Sequence, residues 1–254
     1  MPPALQTPTR DSSFASTRWT VVRQAADSQT ASQHALSALS ELCQIYWRPV
    51  YVFLRRQGIA QHDAQDLTQG FFAELLERDL LSRFDSSKSR LRTYLRVCAD
   101  SFALNEIKAA SRKKRGGEIT HVALDFSAAE DELRAQTVDP AKIPSPESLE
   151  EFFEKEWIRS LFSSAVDELK SLCEARGKQK AFVLFESYDL DGEENISYAG
   201  LAARLEISAT DVNNQIAWAR REFRRIATER LHALCGSEEE FVRESQALFG
   251  ESHK

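Results

Sequence analysis

The chain contains little glycine and proline, with 9 Gly and 7 Pro among its 254 residues. Because these residues interrupt helices, their scarcity leaves room for long helical segments. Runs of β-branched residues, which favour strands, are also rare, whereas Leu, Ala, Glu, Arg and Gln are abundant. The composition therefore predicts an all-α protein.

Long apolar segments are absent as well, since no run approaches the roughly 20 residues that a membrane-spanning helix needs. The N-terminal stretch MPPALQTPTRDSSFAST lacks the charged start and apolar core of a secretory signal, and we expect residues 1–13 to be a disordered lead. These features predict a cytoplasmic protein that does not bind membranes.

Residue patterns typical of catalysis are missing. The four cysteines, Cys43, Cys98, Cys173 and Cys235, form no CxxC pair of the kind that zinc sites usually show, and they read as small core residues. The five histidines are scattered, and no HExxH, phosphate-cradling glycine loop or nucleophile–base pair is present. We therefore expect no catalytic residue, metal site or cofactor, and an enzyme is the least favoured class.

The charge is strongly segregated along the chain. A net charge of -6, taken alone, argues against nucleic-acid binding, because phosphates attract Lys and Arg. Residues 83–115, however, contain many basic residues and only three acidic ones, Asp85, Asp100 and Glu106. Such a local excess is typical of a phosphate-binding surface. Its basic members are Arg83, Lys88, Arg90, Arg92, Arg96, Lys108, Arg112, Lys113, Lys114 and Arg115.

The next segment reverses this charge and predicts the domain organisation. Residues 118–155 combine many carboxylates with Pro140, Pro144 and Pro146, a composition typical of a linker. The prediction is therefore two small helical domains joined by an acidic linker. They comprise residues 14–117 and 156–235, and an acidic helical tail follows over 236–254.

Apolar residues at helical spacing locate the helices of the first domain. One stripe runs from Leu36 to Trp47, and Pro49 is expected to kink that helix or to start a new one. Gly58 is a plausible C-cap, and Asp63 an N-cap or first-turn carboxylate of the next helix. A third helix carries apolar residues from Leu91 to Ile107.

The second domain contains a pattern that predicts a helix-turn-helix. In residues 198–216, Leu201 and Leu205 share one helical face, Ser208 is placed to cap a second helix, and Val212 and Ile216 face inward. The second helix would present polar side chains to a major groove. The alternative is a helical hairpin with an arginine-rich solvent face.

The segment DAQDLTQGFF, starting at Asp63, allows two interpretations of equal weight. Its carboxylates lie beside an apolar edge, so they could dock a basic partner helix. They could equally form a capped, solvated helix start.

Three ordered segments resemble bacterial RNA polymerase sigma factors of the extracytoplasmic-function (ECF) type. They are DAQDLTQGFF, FDSSKSRLRTYLRVCADSFALNEIKAASRKKR and YAGLAARLEISATDVNNQIAWARREFRR, and the resemblance covers most of residues 18–232. It implies a transcription initiation factor that binds core RNA polymerase, through the clamp helices of the largest subunit, and promoter DNA. An anti-sigma factor or another regulator is a further candidate partner.

The resemblance also implies roles for individual residues. Polymerase binding falls to Asp63, Asp66, Leu67, Gln69 and Phe72. Start-proximal, single-stranded promoter DNA would contact Lys88, Arg90, Arg92, Arg96, Asn105, Lys108, Arg112, Lys113, Lys114 and Arg115. Upstream duplex DNA would contact Ser208, Thr210, Asp211, Asn213, Asn214, Gln215, Arg220, Arg221 and Arg224.

One departure from the family pattern concerns the turn before the second helix, where Glu206 replaces a common glycine. Either Glu206 adopts a positive φ or the turn is built differently. Two other functions compete with a sigma factor: a free-standing helix-turn-helix regulator, and a protein-interaction adaptor derived from a sigma scaffold. The first would leave the DAQDL helix and the basic run without a role.

Overall fold

A computed structural model describes residues 33–77, 80–110, 124, 126–135, 146–190 and 197–250. Throughout these ranges the regular structure is helical and no strand occurs, which confirms the all-α prediction. The helices are α1 (Gln33–Arg56), α2 (Gln61–Glu77), α3 (Leu91–Ala110), α4 (Phe126–Ala135), α5 (Pro146–Ala175), α6 (Gln179–Phe185), α7 (Tyr198–Leu205), α8 (Ala209–Leu234) and α9 (Glu238–Phe249). A π-helical turn, Glu186–Leu190, continues α6.

Helix α1 is the centre of the largest core. Every residue from Pro49 to Leu54 is buried, so this part of the helix is surrounded on all sides. Pro49 lacks an N–H and deprives the Ile45 carbonyl of its helical partner. The helix nevertheless passes through Pro49 without a restart, because the surrounding helices hold both halves in place. Gly58, with φ of 83°, follows its end as predicted.

The predicted linker 118–155 contains two helical segments. Phe126, Ala129 and Phe153 are buried in the same core as α1. The buried Glu130 carboxylate accepts hydrogen bonds from the Tyr51 hydroxyl, at 2.5 Å, and from Arg55 Nε, at 2.6 Å. The linker prediction used the average composition of this stretch, which gives little weight to its few apolar residues at helical spacing. The other residues of the predicted linker, 118–123, 125 and 136–145, lie outside the described residues.

Helix α5 belongs to two cores. Its residues Phe153, Trp157 and Leu161 pack with α1, whereas Ala165 and Leu169 pack with α8. The boundary predicted at residue 156 therefore falls inside a continuous helix. Over residues 146–175, the two parts of the chain are joined by a continuous helix and not by a flexible linker.

The C-terminal helix α9 returns to the first core. Ser237 caps it by accepting a hydrogen bond from the Glu240 N–H, and Gly250 ends it with φ of 70°. Phe241, together with Leu234 and Cys235 from the end of α8, packs in the core around α1. The predicted helical tail is thus a helix over Glu238–Phe249, docked on the N-terminal part of the chain.

Helices α7 and α8 are joined by a three-residue turn. Leu201, Val212 and Ile216 are buried together with Leu184 of α6, as the apolar pattern predicts. Ser208 accepts a hydrogen bond from the Asp211 N–H, which confirms it as the N-cap of α8. Glu206 adopts φ 54° and ψ 47°, so the first of the two alternatives for this turn is correct.

Replacing Glu206 by glycine is expected to stabilise the protein by about 0.5–1 kcal/mol, because glycine adopts the left-handed conformation without the steric cost of a Cβ atom. Urea denaturation measures the change. Glu229→Gly, in the right-handed interior of α8, is the matched control and should destabilise by about 1 kcal/mol. Equal effects of the two substitutions would contradict this explanation.

Candidate functional site

An acidic groove lies between the start of α2 and the end of α3. We use this name for the depression lined by Asp63, Asp66 and Leu67 of α2, Glu106 and Ile107 of α3, and the loop of residues 57–60. Three carboxylates and the apolar Ile59, Leu67 and Ile107 line the same depression. This combination suits a helix that carries both basic and apolar side chains.

Local structure explains why the α2 carboxylates face outward. Helix α1 ends before Gly58, and α2 begins at Gln61, which places Asp63 in the first turn. A carboxylate is favourable there because the helix dipole is positive at its N-terminus. Asp63 is exposed, and Asp66 Oδ2 lies 3.2 Å from Nδ1 of the exposed His62. Neither carboxylate is sequestered in the core.

The remaining predicted polymerase-binding residues are less accessible. Leu67 and Gln69 are half-buried, and Phe72 is only 1% exposed. Phe72 stacks edge-on against Phe71 with their ring centroids 5.2 Å apart, so it belongs to the core and not to an accessible contact surface. The reason is that α2 is covered on two sides, by α1 and by α3, which buries both phenylalanines.

Sequence reasoning missed Ile59, Glu106 and Ile107 as members of the acidic groove. Ile107 had been placed on the apolar stripe of α3, yet it is 46% exposed, and Leu104 is 47% exposed. The sequence feature that could have indicated the groove is the continuation of apolar residues in α3 beyond its buried part. Only the tertiary packing shows that α3 extends past the helices that cover it.

Arg90, which directly precedes α3, and Arg92 and Arg96 in its first turns form an arginine cluster. It is paired with a carboxylate cluster, Glu150, Glu154 and Glu244. Arg92 is 6% exposed, and its Nη1 lies 2.6 Å from a Glu244 carboxylate oxygen. Its Nη2 lies 2.7 Å from a Glu154 carboxylate oxygen. The guanidinium also stacks over the Trp157 ring at 4.7 Å. Arg92 was predicted to contact DNA, but in this conformation it is covered by protein.

The other two arginines face the same carboxylates. Arg90 Nε lies 3.1 Å from a Glu244 oxygen, and Arg90 Nη1 lies 3.7 Å from Glu154. Arg96 Nη2 lies 3.6 Å from Glu150. The carboxylates come from α5 and α9, which are remote in sequence from α3. Sequence reasoning assigned these acidic residues to a linker and a tail and did not foresee the pairing.

Glu240 joins α9 to the N-terminus of α3. Its carboxylate accepts hydrogen bonds from the N–H groups of Leu91, at 3.3 Å, and Gly236, at 2.8 Å. Burial raises the pKa of the Glu240 carboxyl above its usual value, and the two N–H hydrogen bonds oppose this increase. The nearby Glu244 charge adds to the increase, and Arg92 opposes it. Glu240 and Glu244 are one helical turn apart, so one face of α9 binds the beginning of α3.

The loop before α3 is ordered by its own charges. Asp85 accepts hydrogen bonds from the N–H and hydroxyl of Ser87, and Lys88 Nζ lies 2.9 Å from it. These bonds lower the pKa of Asp85 to about 2. Lys88, Asn105 and Lys108 are exposed, as a DNA contact requires. Arg112, Lys113, Lys114 and Arg115 lie outside the described residues.

The predicted upstream DNA-binding residues are at the surface of α8 and its preceding turn. Thr210, Asn213 and Asn214 are exposed, and Gln215 is half-buried. The side chains of Ser208 and Asp211 are occupied in capping, since the Ser208 hydroxyl donates to Asp211 Oδ2 at 2.7 Å.

The arginines farther along α8 differ in their surroundings. Arg220 binds both carboxylate oxygens of Asp189, with distances between 2.6 and 3.2 Å. Arg221 and Arg224 are exposed, and the Arg224 guanidinium lies 5.6 Å from the centroid of the Phe249 ring. Nε and Nη2 of Arg220 are therefore both engaged by Asp189.

The four cysteines are free thiols, and Cys173 and Cys235 are buried. No group of three His, Cys, Asp or Glu side chains in the described ranges could hold a metal ion. Among the described helices, none has the length and apolarity to cross a bilayer.

The structure thus defines an all-α protein with an acidic groove and a basic helix on one part of the chain. Residues 42–113, which contain both features, match the family model described as Sigma-70 region 2. The match covers less than a third of the chain and supports sigma factor function in general, which is the binding of core RNA polymerase and promoter DNA. No curated protein and no solved structure matched the chain.

Proposed function

We propose that this protein is an ECF-like sigma factor that binds core RNA polymerase and directs initiation at promoters with two recognised elements. The observation that carries this proposal is the acidic groove inside the region 2 match. The groove and the basic helix α3 lie in one compact unit, as polymerase docking and promoter opening would require. We assign this role to residues 14–117.

The docking role is supported by the chemistry of the acidic groove. Asp63 and Asp66 supply negative charge at the surface, while Leu67 and Ile107 supply apolar area between and beside them. Charged groups of this kind speed association and set orientation, and the apolar contacts add affinity. The clamp helices of the polymerase are the partner that the resemblance implies for this groove.

The upstream role is assigned to residues 156–235. The exposed polar face of α8, with Asn213 and Asn214, has the side chains that read adenine in a major groove, and the three-residue turn places α7 against it. We therefore interpret α7 and α8 as a helix-turn-helix. Its low positive charge favours weak binding by this unit alone. Attachment to a polymerase-bound first unit raises its effective concentration at the promoter.

One observation favours a second candidate, a protein-interaction adaptor on a sigma scaffold. The arginines proposed to contact DNA are paired with Glu150, Glu154 and Glu244, so in this conformation the DNA-binding surface is occupied. An adaptor would keep these pairs when bound to its partner. A sigma factor would break them.

The proposed function is tested by mixing the purified full chain with core RNA polymerase. We expect a complex on size-exclusion chromatography and promoter-dependent transcripts from a genomic fragment library. Association without promoter-dependent transcription would favour the adaptor. Absence of association would refute both the sigma factor and its polymerase-docking groove.

A further inference from the structure

We propose that the free chain is held in a closed, DNA-excluding state in which α9 and the first turns of α5 cover the arginine cluster of α3. The inference rests on the proposed function, because it takes Arg90, Arg92 and Arg96 to be DNA contacts. It goes beyond that function by assigning a role to the C-terminal helix.

The carboxylate cluster occupies the positions that DNA phosphates would need. Arg92 directs both terminal nitrogens at carboxylates, of Glu244 and Glu154, and its ring-stacked face is closed by Trp157. A phosphate is also an anion that accepts hydrogen bonds from a guanidinium. Carboxylates and phosphates therefore compete for the same donors, and the two occupants exclude each other.

A second contact, independent of charge, fixes α9 in place. Residue 236 lies so close to the loop before α3 that a Cβ atom there would be 2.8 Å from Phe84 Cε1 and 2.9 Å from Ser86 Cβ. Only glycine permits this approach. The Gly236 N–H also donates a hydrogen bond to Glu240, whose carboxylate accepts the Leu91 N–H at the start of α3. The close backbone contact at Gly236 is therefore linked directly to the carboxylate that binds α3.

The closed state is built so that it can open. Arg90 and Glu154 are 44% and 43% exposed, and such pairs are weakened by salt and solvent. Glu240 and Glu244 are both buried on one face of α9, and the repulsion between their charges offsets part of their attraction to Arg92. If the chain binds DNA only when open, its apparent DNA affinity is reduced in proportion to the open fraction.

The test measures binding of a fluorescent single-stranded oligonucleotide to the full chain by anisotropy at several salt concentrations. Two opening variants are used. Glu150→Gln/Glu154→Gln removes the partly exposed carboxylates, and Gly236→Ala disturbs the close contact without altering any charge. The matched control Glu151→Gln/Glu239→Gln makes the same change of charge at exposed positions on α5 and α9.

We expect each opening variant to bind about tenfold more tightly than the parent chain, as it would if about a tenth of the parent were open. The salt dependence should steepen, by about 0.7 in logarithmic slope for each additional phosphate contact. The control should bind like the parent. Circular dichroism establishes that each variant is folded, and the exposed positions of Glu150 and Glu154 make that variant the one with the lower risk to folding.

Two results would overturn the closed state. If both folded opening variants bind the oligonucleotide no more tightly than the parent, α5 and α9 do not exclude DNA. A gain shared equally by the control would reduce the effect to net charge. Core polymerase binding by the parent distinguishes failure of the closed state from failure of the proposed sigma factor function. If the parent still associates with polymerase and supports transcription, the closed state fails alone; if it does neither, the proposed function fails.

Discussion

Replacing Asp63 and Asp66 by lysine should lower the affinity for core RNA polymerase by roughly 100-fold, a change of about 3 kcal/mol. Both carboxylates line the acidic groove, and each reversal replaces an attraction to a basic partner helix with a repulsion. The fold should persist, because Asp63 is exposed and the half-buried Asp66 lies beside the exposed His62. Biolayer interferometry with immobilised core polymerase measures the change.

A matched control separates docking from net charge. Asp167→Lys/Glu174→Lys makes the same change of charge at exposed positions of α5, away from the acidic groove. This variant should keep the polymerase affinity of the parent within a factor of about 3, a margin typical of substitutions outside an interface. If the Asp63/Asp66 variant binds polymerase as tightly as this control, the groove is not the docking site.

Truncating Trp157 to alanine is expected to destabilise the protein by about 3–5 kcal/mol. The side chain is 2% exposed, packs beside Tyr46 of α1 with a centroid distance of 6.5 Å, and supports the Arg92 guanidinium. Removing it leaves a cavity between α5 and α1 and withdraws a cation–π contact. Urea denaturation followed by circular dichroism gives the free energy of unfolding.

The comparison for this prediction is Val183→Ala. Val183 is 37% exposed on α6, and its truncation should change the free energy of unfolding by less than about 0.5 kcal/mol. A similarly small effect of Trp157→Ala would mean that the start of α5 is not integrated with α1. The chain would then behave in solution as the flexibly linked pair of domains that the composition predicts.

The sequence predicted those features of the helices that depend only on residues close together in the chain. Ser208 and Gly58 mark helix ends through local backbone geometry, and their roles are confirmed. Leu201, Val212 and Ile216 share a buried face because helical periodicity alone places them together. Asp63 likewise follows from its place in the first turn of α2. None of these features depends on a distant part of the chain.

Features that join distant segments could not be predicted in this way. Residues 118–155 were interpreted as a linker because charge averages ignore the few apolar residues, such as Phe126 and Phe153, that pack in the core. The resemblance implies polymerase binding for Phe72 from its position in the motif, and a position in a motif does not show how many helices cover the residue. Its burial depends on α1 and α3 together.

By itself, the sequence determined the all-α class, several helix ends and the segregation of basic and acidic residues, because these follow from composition and local geometry. Only the tertiary structure decided where the acidic residues go. It placed Glu154 of α5 and Glu244 of α9 on Arg92 of α3, across separations of 62 and 152 residues along the chain. Such ion pairs arise from helix packing, which brings together charges that no short-range pattern relates.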